Sequence, residues 1–143
     1  MKSKNLVTFL VTYAPLTTAT FSLNISGPDW SYGANDLAPT TSLGCQIAYS
    51  AMIDCDPTLL GLVASMRPAF DPDSTDLDNT CTTTCSDSLA AYVKGVEAAC
   101  TAPGDKAQES PGGSDFEDFI LDPVQVVGQL FQYTWAQSCS KAA

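Results

Sequence analysis

"DNTCTTTC", residues 78–85, sets two thiols four positions apart around three threonines and closes a run of aspartates. What those two sulfurs do decides what kind of chain this is. A zinc clip needs paired short spacings or histidine partners, and the sequence contains no histidine. A redox pair takes the tighter Cys-x-x-Cys spacing. A thiol in the first turn of a helix gains acidity from exposed N–H groups, and Thr84 with Asp87 makes a capping-box variant that places Cys85 there. Thiol catalysis still needs a proton shuttle, which a chain without histidine lacks. The stretch therefore reads as the opening of a helix whose two cysteines anchor disulfides.

The rest of the sulfur agrees. Cys45, Cys55, Cys81, Cys85, Cys100 and Cys139 form an even set, which implies three disulfides and an oxidising compartment. The first residues, "MKSKNLVTFLVTYAPLTTATFS", put Lys2 and Lys4 before an apolar run from Leu6 to Leu16 and small residues at Thr18, Ala19 and Thr20. That order is the secretory-signal pattern, and the run is too short to span a membrane. Residues 1–22 are assigned to a signal peptide, with cleavage expected between Ala19 and Leu23, and the chain is expected to be secreted. No later apolar run is long enough to anchor it in a membrane. What remains is about 120 residues, enough for one domain with one core.

The formal charge is −10 over 143 residues, with sixteen acidic side chains against six basic ones. Such a surface repels phosphate backbones and anionic membranes, so nucleic acid is excluded as a partner. A neutral polysaccharide or a basic protein remains acceptable.

Helical periodicity appears four times. Leu43 to Ile53 places Ile47, Ala48, Ala51 and Met52 on one stripe. "DPTLLGLVASM" starts with Asp56 as cap and Pro57 at the first helical position, and puts Leu59, Leu62, Val63 and Met66 on a face. Ser86 to Cys100 aligns Leu89, Tyr92, Val93, Val96 and Cys100. The fourth helix opens on Asp122 and Pro123 and runs to Ser138. Its stripe is Val124, Val127, Phe131 and Trp135, broadened by Val126, Leu130 and Tyr133, which makes it the expected central helix. Gly61, Gly95 and Gly128 sit inside three of these helices and point to close approach of helix axes. Residues 23–42 read as a flexible arm, and "RPAFDPDSTDLDNT" and "TAPGDKAQESPGGSDFEDFIL" as acidic loops. No strand alternation is evident. The expected fold is all-α, a small antiparallel bundle of three to four helices over residues 43–143, stapled by disulfides and carrying long acidic loops.

If the four helices alternate in direction, Cys55 at the start of the second meets Cys100 at the end of the third. Cys45 and Cys139 then take Cys81 and Cys85 in either order. A closed loop of this length constrains the unfolded chain by about 4 kcal/mol.

"CDPTLLGLVAS", "LDNTCTTTCSDSLAAYVKGVEAAC" and "PVQVVGQLFQYTWAQSC" together resemble the helical cysteine-bearing region of fungal secreted LysM-domain proteins, over residues 45–139. The resemblance implies secretion and association with chitin-type polymers of N-acetylglucosamine, sometimes in host interaction. The LysM signature itself, Tyr-x-Val-x-x-Gly-Asp-Thr, is missing, since Gly104-Asp105 is followed by Lys106. No sugar-binding residue of that unit carries over to this chain.

The candidate site residues are few. Trp30 and Tyr32 in "DWSYG" could stack on sugar rings, or fold back over the bundle. Asn24-Ile25-Ser26 is an N-glycosylation acceptor. The acids at Asp71, Asp73, Asp76 and Asp78, and at Asp115, Glu117 and Asp118, read as solvated loops rather than a hydrolase pair. "DPDSTDLDNTCT" lacks the sixth-position glycine and twelfth-position glutamate of a calcium loop. The function expected is a non-enzymatic scaffold or interaction domain beside carbohydrate recognition, without metal or cofactor. The rival is a stand-alone effector or inhibitor that grips a host protein.

Overall fold

The computed structural model describes residues 19–24, 37–63, 70–109 and 120–140. In chain order the elements are β1 (Phe21–Ser22), α1 (Leu43–Tyr49), β2 (Met52–Ile53), α2 (Thr58–Val63), α3 (Ser74–Thr80), α4 (Thr83–Ala99), β3 (Lys106–Glu109), β4 (Ile120–Pro123) and α5 (Gln125–Cys139). The fold is mostly helical, but two small antiparallel sheets, β1–β2 and β3–β4, correct the all-α expectation.

Among the described residues the longest helix is α4. Thr82 caps it by accepting the Cys85 N–H, so the cap lies two residues before the expected Thr84. The stripe read from the sequence is buried in full: Leu89, Tyr92, Val93, Val96 and Cys100, with Cys85 added at the start. Helices α1 and α5 both pack on α4, and α2 packs on α5. This makes α4 the central helix, not α5. On α5 only one stripe turns inward. Gly128 and Phe131 are buried, and Val127 and Trp135 pack against the core, whereas Val126, Leu130 and Tyr133 face outward.

Several expected boundaries move because distant residues decide them. Ser42 caps α1 while its own N–H goes to Asp105. The helix stops at Tyr49 rather than Ile53, since Ser22 Oγ donates to the Ser50 carbonyl and β1 pairs Phe21 with Ile53 and Ser22 with Met52. Cys45 and Tyr49 form its buried side, and Ile47, expected inside, is 65% exposed. The aspartate-rich stretch expected as loop holds α3, started by a capping box in which Asp73 and Asp76 each accept the other's backbone N–H. Asp122 and Pro123 belong to β4 and do not cap α5, whose N-cap Val124 makes no side-chain cap bond.

Structure extends across the assigned boundary between signal peptide (1–22) and flexible arm (23–42), since Phe21, Ser22 and Leu23 are all buried. Leu23 is fully buried and Phe21 nearly so, its ring centroid 6.1 Å from that of Phe131. Residues 37–42 clasp the turn before β3. Ala38 N–H donates to the Lys106 carbonyl, Thr40 Oγ1 to the Gly104 carbonyl, and Leu37 bridges Ala107. The turn fits this close because residue 104 has no side chain: a Cβ there would lie 2.7 Å from the Thr40 carbonyl oxygen.

Candidate functional site

All six cysteines are joined: Cys45 to Cys100, Cys55 to Cys85, and Cys81 to Cys139, with Cα separations of 4.5, 4.5 and 5.3 Å. The expected Cys55–Cys100 bond is not formed. Cys139 does take Cys81, but Cys45 takes neither Cys81 nor Cys85. The geometric reason is the run from Cys45 to Cys55. Five helical residues and an extended link carry it along α4, which is about 25 Å long. Cys45 sits beside the C-terminal end of α4 and Cys55 beside its N-terminal end, so the run is bolted to one helix at both ends. The third bond ties Cys81, at the junction of α3 and α4, to the end of α5.

Around the N-terminal bolt lies a cleft of about 170 Å³ lined by Ala19, Asp54, Cys55, Asp56, Asn79, Thr82 and Thr84. Sites that enclose small ligands start near 300 Å³, so this cleft lies below that range. Asp56 Oδ1 already accepts the N–H and the hydroxyl of Thr58, at 2.9 and 2.6 Å, holding the first turn of α2. The Asp54 N–H donates to Ser88 Oγ on α4. Among the described residues no group of three or more metal-ligating side chains comes together.

Family models, curated proteins and solved structures yield no match to this chain.

The carboxylate with the firmest role is one the sequence reading passed over inside a loop. Asp105 is almost fully buried; its Oδ1 accepts the Ser42 N–H at 2.7 Å and its Oδ2 the Ala102 N–H at 2.8 Å. The Ser42 N–H, against the opposing effect of burial and with the help of Ala102, holds the carboxyl below its ordinary range. The "PGD" turn ahead of a strand was the only local signal. Tyr92 is a second buried polar group, its hydroxyl donating to the Tyr49 carbonyl at 2.9 Å. Burial, reinforced by the nearby Tyr49, pushes its phenol far up, which keeps it a donor.

Of the other candidate residues, Asn24 is exposed at the end of β1, its Nδ2 donating to Ser50 Oγ at 2.7 Å. Trp30, Tyr32, Asp115, Glu117 and Asp118 lie outside the described residues. Tyr133, expected in the core, is 63% exposed, and with Val126 and Leu130 it forms an apolar row on the outer face of α5. Trp135 is half-buried and donates from Nε1 to the Thr80 carbonyl, joining α5 to the end of α3.

Proposed function

We propose that this protein is a secreted, non-enzymatic scaffold or interaction domain that works beside chitin-type carbohydrate recognition, as its resemblance to the helical region of LysM-domain proteins implies. Three disulfides fit an oxidising, extracellular type of environment. The observation that carries the non-enzymatic reading is how the carboxylates are used. Asp56, Asp73, Asp76 and Asp105 all accept backbone N–H groups that start helices or close turns. A hydrolase would instead aim two of them at a substrate-sized cleft. Neutral glycan suits the chain's charge better than any polyanion does.

The test is retention on insoluble chitin at high salt, with Trp30→Ala, Tyr32→Ala and Tyr133→Ala measured beside the parent. Binding that survives salt and weakens on loss of an aromatic side chain supports the carbohydrate role. Passage of the parent protein straight through the matrix would overturn it.

One observation favours a second reading, the effector or inhibitor that binds a protein. The outer row of Val126, Leu130 and Tyr133 is the kind of aliphatic and aromatic surface that protein interfaces bury at their centre. The net negative charge then selects a basic partner. Capture of a purified basic protein that fails after Tyr133→Glu supports this reading, and capture indifferent to that change argues against it.

A further inference from the structure

The fold bears on where the chain would be cut if it is exported, an inference that rests on the secretory reading above. Leader peptidases require small residues one and three positions before the bond they cleave. Among the bonds from Thr18 to Leu23, three satisfy this: Ala19–Thr20, with Thr17 and Ala19; Thr20–Phe21, with Thr18 and Thr20; and Ser22–Leu23, with Thr20 and Ser22. Cleavage after Thr18 would place Leu16 at the outer position, which is too large. The sequence leaves three bonds open, and the structure separates them.

Phe21, Ser22 and Leu23 are all buried, whereas Ala19 and Thr20 are exposed. Cutting at Ser22–Leu23 deletes β1. It strips Ile53 and Met52 of their strand partners, removes the ring that packs on Phe131, and takes away the hydroxyl that donates to the Ser50 carbonyl. Cutting at Thr20–Phe21 keeps those side chains but makes a charged ammonium of a buried strand residue, and an uncompensated buried charge is strongly unfavourable. Only a cut at Ala19–Thr20 leaves β1 whole and the new charge in solvent.

We infer that the mature chain begins at Thr20, and that Phe21, Ser22 and Leu23 form an N-terminal clasp packed into the core. Hydrolysis of the Ala19–Thr20 amide by the leader peptidase consumes one water. It leaves a carboxylate on Ala19 of the departing leader and an ammonium on Thr20. Ala19, the residue before the new terminus, lines the cleft to which Asp54 and Asp56 also contribute, so the ammonium forms at its edge, in solvent. The assigned boundary after Ser22 moves back by three residues, and Asn24 becomes the fifth residue of the mature chain.

The test is to express the full chain from Met1 in a secreting eukaryotic host and to sequence the N-terminus of the protein recovered from the medium. Thr20 as first residue is expected. A first residue of Phe21 or Leu23, or secreted protein that retains Met1, overturns the inference while leaving secretion intact. A chain that stays inside the cell overturns the secretory reading and this inference with it. A second variant, Ala19→Phe, blocks the inner recognition position, and processing to Thr20 is expected to be lost. Unchanged processing of that variant would contradict the assigned bond. Finally, Phe21→Ala in the secreted protein is expected to lower the melting temperature by about 5 °C or more, since Phe21 is core. No shift would remove the clasp.

Discussion

Two glycines on neighbouring helices give opposite expectations for the same substitution. Gly95 lies inside α4 with open space around the position a Cβ would take. Alanine there gains about 1 kcal/mol from helix propensity and meets nothing. Gly128 lies inside α5, where a Cβ would sit 3.0 Å from Tyr92 Cε1 and 3.1 Å from both Tyr92 Cδ1 and Val93 Cγ2. The ring cannot swing aside freely, because its hydroxyl is tied to the Tyr49 carbonyl at 2.9 Å. The helices cannot part freely either, because Cys81–Cys139 joins the α3–α4 junction, two residues before α4, to the end of α5. Overpacking of this kind costs about 1–3 kcal/mol. The propensity gain is common to both positions, so the difference between Gly95→Ala and Gly128→Ala isolates the packing cost, about 1–3 kcal/mol. Urea or thermal unfolding of the two variants reads it directly, with Gly95→Ala above the parent and Gly128→Ala below Gly95→Ala by several degrees. If Gly128→Ala proves as stabilising as Gly95→Ala, the helix contact described here is wrong.

The acid limb of stability is expected to depend on Asp105. Its folded-state pKa lies below the unfolded value of about 3.9, so its contribution is present above that pH and fades as pH falls through the folded value. Asp105→Asn should flatten the fall in melting temperature across that acid window, and an unchanged slope would count against the role. Trp135→Phe removes the donor to the Thr80 carbonyl and is expected to cost about 1–2 kcal/mol in a denaturant titration. Gly104→Ala forces the clasp of residues 37–42 away from the turn before β3. Faster hydrogen exchange at the Ala38 and Ser42 amides, both bonded across that clasp, is the expected sign.

How much of this was legible in the sequence depends on where each element gets its stability. Helix α4 was readable because its seventeen residues repeat an apolar stripe over several turns, and the "CTTTC" opening marked its start. Helix α1 has only seven residues, too few for periodicity to choose a face; Asp105 at one end and β1 at the other set its limits. Helix α3 carries almost no apolar stripe, and is held by a capping box, the Cys81 bond and the Trp135–Thr80 contact. "KAQE" and "ILDP" show no alternation, because their pairing is made across the intervening chain rather than encoded in either strand. The disulfide error has the same origin. Consecutive helices were expected side by side, whereas the link after α1 is extended and carries Cys55 to the far end of α4. The cleft beside Cys55 could not be read locally either, since Ala19, Asp54 and Asn79 come from three separate stretches.

The central claim is a single long helix to which the run from Cys45 to Cys55 is bolted at both ends. Non-reducing proteolysis followed by mass spectrometry tests it most directly. The expected linked peptides join Cys45 with Cys100, Cys55 with Cys85 and Cys81 with Cys139. Peptides joining Cys55 with Cys100, or cysteines recovered as unlinked thiols, would contradict it.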